Sequence, residues 1–299
     1  MTDFVEKPDG VEAIVTARAM SLGGLAIARV IPSLERRTVG PFVFLDHLGP
    51  AGLAPGAGFD VPPHPHIGLA TVTWLFDGEV VHRDSLGVTQ AIRPGEVNLM
   101  IAGQGVTHSE RSSDHFRQHG GAMHGLQFWM GLPTALEDCP PTFEHRGADE
   151  LPEVHLGAAT ACVVLGEAFG ARSPATTPSE TLLVELRFGD DDEVRIPAQK
   201  EAALYVAAGS ATVGGTRYQA GTMIVLAPGT TVAITGADRS LVALFGGAPL
   251  DGGRRFMDWN FVASSKERLQ QAREDWKAQR FPKIPGDDRE FVPYPEPRR

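Results

Sequence analysis

Two short pairs of potential metal ligands constrain the fold of this chain more than any other feature. His64-Pro65-His66 and His108-Ser109-Glu110 each place ligand-type side chains at positions i and i+2. Alternate residues of a β-strand point to the same face, so each pair projects two ligands in one direction. Two such strands in contact would bring three imidazoles and one carboxylate together, a set that suits a divalent transition metal and leaves roughly two coordination positions open. The pattern therefore predicts a catalytic metal site between two strands.

A simpler interpretation of the same residues stands beside this one. A histidine in a strand is often a polar side chain with an ordinary hydrogen-bond partner, and one His-x-His pair among ten histidines can arise by chance. The turn residues around the first pair, Pro62-Pro63 and Gly68, place it in a short strand of a hairpin-rich sheet. This context favours the metal site.

The composition is that of a turn-rich β-protein. With 34 glycines and 23 prolines among 299 residues, the short apolar runs favour an all-β fold of about two domains. Two cysteines, Cys139 and Cys162, are too few for a disulfide framework, so we expect free thiols in a reducing compartment. The net charge of −10 argues against direct nucleic-acid binding. Without a signal-peptide pattern or an apolar run of about 18 residues, we expect a soluble cytoplasmic protein with no membrane partner.

A strand pattern occurs twice along the chain. In the first half, a strand ending at Gly78 is followed by a hairpin and a strand from Val97. In the second half, a strand ending at Gly209 is followed by a hairpin and a strand from Met223. This weak repeat predicts two barrels or sandwiches. No histidine follows His155, so we expect the second half to bind no metal and to serve in packing, partner binding or a pocket wall.

A proline-rich segment separates the two halves. Prolines cluster between Leu132-Pro133 and Pro140-Pro141, around the charged pair Glu137-Asp138, which is typical of a linker. We therefore assign a metal-binding domain to residues 1–140. A metal-free domain, which includes a C-terminal helix, is assigned to residues 141–299.

The C-terminal helix is predicted from a change of period. Ser264 and Glu267 have the spacing of a capping box, in which the serine bonds forward and the glutamate reaches back. The residues that follow carry one narrow apolar stripe, formed by Leu269, Ala272 and Trp276. Such a helix is expected to dock on its own domain, in preference to binding a partner.

Four other polar residues lie near the predicted strands and are not counted as ligands. His47 stands alone at a strand end and is interpreted as structural. His82 is expected to face solvent or to bond its neighbour. His124 and Gln127 could point into a pocket above the metal, but they fit an ordinary strand at least as well.

A set of motifs along nearly the whole chain carries a family resemblance. Its N-terminal part consists of Leu34-Glu35-Arg36-Arg37, residues 39–47, His64-Pro65-His66 with Thr71-Val72-Thr73, His82 to Gly87, Arg93-Pro94-Gly95, and Ala102 to Gly105 with His108-Ser109-Glu110. Its C-terminal part consists of Arg254-Arg255-Phe256, Trp259 to Val262, Ser264 to Arg268, Phe281-Pro282 and Pro285-Gly286. These motifs resemble the pirin family of the cupin superfamily.

The resemblance implies a fold and a metal site. The expected fold is a bicupin, with two jelly-roll cupin β-barrels face to face, a metal in the N-terminal barrel only, and a C-terminal helix. The family's metal ligands fall on residues that are all present here: His64, His66, His108 and Glu110. The implied metal is Fe(II), with Zn, Mn, Ni, Cu and Co as alternatives. Many relatives have a glutamate at the position of Ala70, which implies a different pocket polarity and substrate.

The resemblance also implies a reaction. Family members are similar to quercetin 2,3-dioxygenases, so we expect a small aromatic, flavonol-like substrate and O2, with Glu110 as the catalytic residue that accepts or orients the hydroxyl proton. Other relatives are iron-containing transcriptional co-regulators, which would make this chain a redox-sensing protein that acts through a protein partner. A purely structural metal is a third alternative, which an open site disfavours. In each of these three cases we expect a monomer.

Overall fold

The computed structural model consists of two compact units in which most residues lie in β-strands. It describes residues 8–189, 192–251, 253 and 255–295, so Arg254 of the C-terminal motif lies outside the described residues. The first unit contains the described parts of Met1–Arg18, Arg29–Phe44 and Asp149–Pro249. The second unit contains the described parts of Ala19–Ala28, Leu45–Ala148 and Leu250–Arg299.

Among the described residues, twelve strands precede residue 149. They are β1 Val11–Thr16, β2 Arg18–Leu22, β3 Leu25–Ile31, β4 Phe42–Leu53, β5 Asp60–His66, β6 Leu69–Asp77, β7 Val80–Asp84, β8 Thr89–Ile92, β9 Val97–Ile101, β10 Val106–Arg111, β11 Gly121–Gly131 and β12 Thr142–Arg146. A short helix, α1 Asp114–His119, and a 3-10 turn, Thr134–Leu136, interrupt them.

The described residues from 149 onwards add fourteen strands and the longer helix. The strands are β13 Glu153–Leu156, β14 Ala159–Leu165, β15 Glu167–Ala168, β16 Ala171–Arg172, β17 Thr181–Arg187, β18 Glu193–Ile196, β19 Glu201–Ala208, β20 Ser210–Val213, β21 Thr216–Gln219, β22 Thr222–Leu226, β23 Val232–Gly236, β24 Leu241–Gly247, β25 Phe256–Asp258 and β26 Phe261–Ala263. The helix is α2 Lys266–Lys277. The predicted all-β class is confirmed.

The first unit has a packed apolar interior. Its sheets have the strand orders β1-β22-β19-β24-β17-β14-β13 and β18-β23-β20-β21. Alternating positions on these strands bury aliphatic side chains in one cluster, with Leu204, Ile224 and Leu244 fully inaccessible to solvent. Burial of this apolar surface stabilises the unit.

The second unit contains a four-stranded sheet and most of a seven-stranded sheet. Their orders are β5-β10-β7-β8 and β12-β9-β6-β11-β4-β3-β2. Side chains from the two sheets meet in a common interior. There the ring of Phe143 stacks on the ring of His82, with centroids 4.6 Å apart. The rings of Trp129 and His66 meet edge to face, with centroids 5.1 Å apart. The two predicted ligand strands, β5 and β10, are neighbours in the smaller sheet.

The described residues near each end of the chain belong to a different unit from the one to which the ranges 1–140 and 141–299 assign them. Strand β1 pairs antiparallel with β22, with Ile14 opposite Ile224, so the N-terminal strand belongs to the first unit. The described residues after Leu250 belong to the second unit, which contains the ligand strands. The backbone groups of β1 are paired with β22, which is distant in sequence. A domain boundary placed at the proline-rich segment does not show which strands pair across it.

Helix α2 begins one residue later than the capping box predicted. The side chain of Ser265 accepts the bond from the backbone N–H of Arg268 and is the N-cap. The backbone N–H and hydroxyl of Ser264 instead donate to the carboxylate of Glu137. The predicted capping box of Ser264 and Glu267 is therefore wrong, because a distant carboxylate is the partner of Ser264.

The apolar stripe of α2 is buried as predicted. Leu269, Ala272 and Trp276 pack in one cluster with Ile67 and Phe261. Ile67 follows His66 directly, so the helix docks beside a predicted metal ligand.

Two predictions from composition have direct structural counterparts. Cys139 and Cys162 are both free cysteines, as expected. Within the described part of the chain, no helix combines the length and the apolar character needed to span a bilayer.

Candidate metal centre

Strands β5 and β10 bring three histidines together inside the second unit. The strands run antiparallel with His64 opposite His108, and their ring centroids are 4.3 Å apart. Nε2 of His66 lies 3.0 Å from Nε2 of His108. All three side chains are buried, and one ligand atom from each lies within 4.8 Å of the others, a geometry that could hold a metal ion.

The main chain orients the rings of the first two histidines. Nδ1 of His64 lies 2.9 Å from the carbonyl oxygen of Pro62, and Nδ1 of His66 lies 3.1 Å from that of Asn260. A carbonyl oxygen only accepts hydrogen bonds, so in each neutral ring Nδ1 carries the hydrogen and Nε2 keeps its lone pair. Both rings are therefore in the tautomer that can bind a metal through Nε2.

A buried aspartate orients the third ring through an intermediate histidine. Oδ1 of Asp84 accepts two backbone N–H bonds, and its Oδ2 lies 3.0 Å from Nε2 of His82. Nδ1 of His82 lies 3.2 Å from Nδ1 of His108. With Asp84 accepting from Nε2, a neutral His82 accepts through Nδ1 from His108. The Nε2 lone pair of His108 is then also available for a metal.

The charge state of the cluster fits a divalent transition metal. Burial is the main cause that lowers the pKa of His64 to about 4 and that lowers the pKa values of His66 and His108 well below the usual range; neighbouring histidines add to the effect. All three rings are thus neutral near pH 7, which is the ligating form. Their nitrogen lone pairs converge at short distance, and a bound cation would remove this repulsion.

Glu110 lies beside this cluster but is not part of the three-histidine group. Its side chain is buried, and Nε2 of Gln127 donates to its Oε1 at 2.7 Å. Burial raises the pKa of Glu110 to about 7, while the bond from Gln127 opposes that rise. A carboxyl with this pKa can both hold and release a proton near neutral pH.

The four polar residues not counted as ligands have different environments. His82 is buried and bonds Asp84, so its expected exposure to solvent is wrong and the bond to a near neighbour is correct. Gln127 points towards Glu110. Nε2 of His124 instead lies 2.8 Å from Nε2 of His47. Burial is the main cause that lowers the pKa of His47 to about 4, and the neighbouring His124 lowers it further.

The seven-stranded sheet supplies the opposite wall of the interior. In one row across this sheet, Gln127 on β11 pairs with Thr73 on β6, which pairs with Asn98 on β9. Trp129 and Thr71 pair two residues further along and point to the same face. Trp129 contacts His66, so this face lines the site. It combines small polar groups with aromatic surface.

Ala70 does not line this wall. It pairs with Met130 on β11, one residue away from the pair of Thr71 and Trp129, and alternate residues of a strand point to opposite faces. The expectation that Ala70 changes the polarity of the pocket is therefore wrong. Thr71, its neighbour, occupies the inward position.

Comparisons with known proteins agree with this architecture. The Pirin family model matches residues 24–130, and the model of the Pirin C-terminal cupin domain matches residues 182–282. The chain belongs to the pirin family. The predicted bicupin class, with two cupin domains, is confirmed.

Individual relatives of this pirin match it over nearly their full length. A pirin-like protein of Caulobacter vibrioides is 46% identical over 96% of this chain and 100% of its own. A Pseudomonas aeruginosa protein provisionally named quercetin 2,3-dioxygenase is 38% identical over 92% of this chain and 86% of its own. The crystal structure of quercetin 2,3-dioxygenase from Acinetobacter baumannii has a TM-score of 0.89, with 35% identity over 96% of this chain and 95% of that one.

Three residues that orient the histidines of this pirin, His82, Asp84 and Asn260, were not assigned to the site from the sequence. His82 and Asp84 have the same i, i+2 spacing as the ligand pairs, and this signal could have assigned them to the site. Asn260, whose carbonyl oxygen faces His66, carries no such signal, because any residue has a carbonyl group.

Proposed function

We propose that this pirin is a metal-dependent dioxygenase that opens the ring of a flavonol with O2, as its relatives' names indicate for quercetin. The observation that carries the proposal is the set of three neutral, buried histidines with converging Nε2 atoms. A buried carboxyl, Glu110, lies on the same strand as His108, two residues further on.

The metal would be held by the three histidines, with Glu110 as a fourth ligand. Fe(II) is the proposed ion, since imidazole nitrogens with one carboxylate suit this metal. When bound, it would act as a Lewis acid that increases the acidity of a substrate hydroxyl and activates the substrate towards O2. Asp84 supports His108 through His82, and the backbone supports His64 and His66.

Glu110 is the residue that we assign to proton transfer. It is a buried carboxylate that would lie at the metal, with oxygen lone pairs that can accept the proton of a flavonol hydroxyl. The bond from Gln127 holds Oε1 in place, and the remaining lone pairs of the carboxylate would bind the metal and receive that proton. The reaction consumes one O2 for each flavonol and releases one carbon monoxide, with both oxygen atoms of O2 retained in the opened product and the hydroxyl proton passing through Glu110.

The walls of the interior suit a flat aromatic substrate. Trp129 contacts His66 and Phe143 stacks on His82, so aromatic surface flanks the histidines on two sides. Thr73 and Asn98 add groups that can hydrogen-bond substrate hydroxyls. A site of this kind buries an apolar ring while a few polar groups set its orientation.

The test is oxygen uptake by Fe(II)-loaded protein given quercetin. We expect uptake that requires the flavonol, is abolished in His108→Ala, and falls at least about 100-fold in Glu110→Gln, a loss typical of removing a general base. Carbon monoxide should appear in equal amount. The matched control is His155→Ala, which makes the same substitution at an exposed histidine of the first unit and should leave turnover unchanged.

Two results would overturn the proposal. Iron-loaded protein that binds the metal but shows no flavonol-dependent uptake would favour the redox-sensing regulatory protein instead. Undiminished turnover in Glu110→Gln would remove the assigned role of that carboxylate.

A further inference from the structure

The C-terminal segment after α2 lies against the outer face of the two ligand strands. The backbone N–H of Val292 donates to the carbonyl oxygen of Pro63 at 2.8 Å, next to His64. The indole N–H of Trp276 donates to the carbonyl oxygen of Val292 at 3.0 Å, which ties the segment to the helix. Ile284, between these points, is buried. The segment therefore covers the side of the sheet that faces away from the histidines.

One carboxylate of this segment, that of Asp287, holds two residues of β10. The hydroxyl of Ser109 donates to its Oδ2 at 2.7 Å. The guanidinium of Arg111 donates through Nε to Oδ2 and through a terminal nitrogen to Oδ1, both at 2.8 Å. The side chains of Arg111 and Asp287 are only 20% and 14% exposed. Bidentate, charge-assisted bonds of this kind are strong and impose a defined geometry.

Ser109 and Arg111 are the two neighbours of Glu110 in the chain. Along β10 the side chains alternate, so His108 and Glu110 point into the barrel while Ser109 and Arg111 point outward. Asp287 therefore binds the residues before and after Glu110, on the face of the strand opposite to the Glu110 side chain. A rotation of the backbone at residue 110 would break contacts at 109 and 111 together.

The strand needs such support because its ladder to β5 is interrupted at this point. His108 pairs with His64, but Glu110 pairs with Val61, so Pro62 and Pro63 lie opposite Ser109 in a bulge. Proline has no backbone N–H, and these two residues therefore donate no bonds to β10. On its other edge β10 is held by β7, with Glu110 opposite His82.

We propose that Asp287 is a positioning residue of the metal centre, which sets the direction of the Glu110 carboxylate by fixing Ser109 and Arg111. The inference rests on the proposed role of Glu110 as a metal ligand. It assigns to the C-terminal segment a part in metal binding that is separate from its contribution to packing.

The test is a titration of the metal-free 299-residue chain with Co(II), without flavonol. Binding is monitored by the visible d–d absorption of the bound Co(II). The spectrum reports ligand geometry, and the titration gives the dissociation constant. We expect Asp287→Asn to weaken Co(II) binding about tenfold, as is typical for residues that orient metal ligands, and to change the spectrum. Ser109→Ala removes one hydroxyl donor and should change the Co(II) affinity and the spectrum in the same direction but by less. It serves as the test variant if Asp287→Asn does not fold.

Two control variants separate positioning from general docking of the segment. Glu290→Gln removes an exposed carboxylate that also contacts Arg111, and Tyr294→Phe removes the hydroxyl bonded to Asp258 while keeping the ring. Both should retain the Co(II) affinity and spectrum of the original protein. An equal loss of Co(II) affinity in Tyr294→Phe and Asp287→Asn would overturn the inference. It would show that weakening the contacts of the segment at any point is enough to reduce metal binding.

A parallel titration of Glu110→Gln distinguishes the two proposals. If Glu110→Gln alters the spectrum and folded Asp287→Asn and Ser109→Ala do not, the inference fails while Glu110 remains a ligand. If Glu110→Gln leaves the spectrum unchanged, the ligand assignment fails, and the inference fails with it. Loss of dioxygenase activity does not enter either result.

Discussion

Nδ1 of His108 lies 3.2 Å from Nδ1 of His82, whose Nε2 in turn lies 3.0 Å from a carboxylate oxygen of Asp84. Two like ring nitrogens can bond only if one carries the hydrogen and the other does not. If His82 carries only the hydrogen that Asp84 accepts, the hydrogen between the two rings belongs to His108. Through His82, the buried carboxylate of Asp84 would then determine which nitrogen of His108 is available to a metal.

The first prediction concerns this chain of bonds. In Asp84→Asn the amide oxygen can still accept from the backbone N–H groups of Leu86 and Val88, which turns the NH2 group towards His82. His82 would then donate through Nδ1, and His108 would carry its hydrogen on Nε2, where the metal binds. We expect Ni(II) affinity to fall about 10- to 100-fold, measured by isothermal titration calorimetry.

The same substitution at an exposed aspartate serves as the control for this experiment. Asp149→Asn, in the first unit, should bind Ni(II) as the original protein does. Original affinity in Asp84→Asn would show that the carboxylate does not determine the tautomer of His108.

The second prediction concerns the pH dependence of the metal-free protein. Folding raises the pKa of Glu110 from 4.5 to about 7, so the folded state binds this proton more tightly than the unfolded state. The corresponding stability is fully present below pH 4.5 and is lost as the pH rises through about 7. Glu110→Gln, which has no such proton, should gain stability relative to the original protein over this range, by up to about 3 kcal/mol.

Urea denaturation in the presence of a chelator, at several values between pH 5 and pH 8, measures this difference. The buried histidines titrate in both proteins, so their effects cancel in the comparison. Parallel pH profiles for the two proteins would contradict the raised pKa of Glu110.

The third prediction concerns the start of helix α2. Ser265→Ala removes the side-chain acceptor of the Arg268 backbone N–H and should lower the free energy of unfolding by about 1 kcal/mol. Urea denaturation at pH 7 provides the measurement. Metal affinity should stay unchanged, because the cap does not contact the histidines. A variant as stable as the original protein would show that Ser265 is not the effective cap.

Much of the candidate metal centre could be predicted because it depends on local spacing. The i, i+2 pairs place His64 with His66 on one face, and the antiparallel pairing of β5 and β10 adds His108. The same period of two, applied to residues 82 and 84, would have included His82. Hydropathy alone also permits a solvent-facing His82, because it does not distinguish a polar side chain at the surface from one paired inside a barrel.

Other features could not be predicted because they depend on contacts between distant segments. Asn260 meets His66 across 194 residues through a carbonyl group that every residue possesses. Ser264 bonds Glu137 across 127 residues, which moves the helix cap by one position. The inward position next to Ala70 depends on the register of β6 against β11, and a shift of one residue would reverse it.

The sequence by itself determined the β-class, the repeated strand pattern, the free thiols, the apolar stripe of α2 and the histidines that converge, since each follows from composition or from a period of a few residues. The tertiary structure decided which nitrogen of each histidine is available, how strongly Glu110 holds its proton, and which segment covers the ligand strands. These properties arise from burial and from hydrogen bonds between residues far apart in the chain, such as Asp287 with Ser109. Such partners are set by the packing of the whole unit, so no local pattern encodes them.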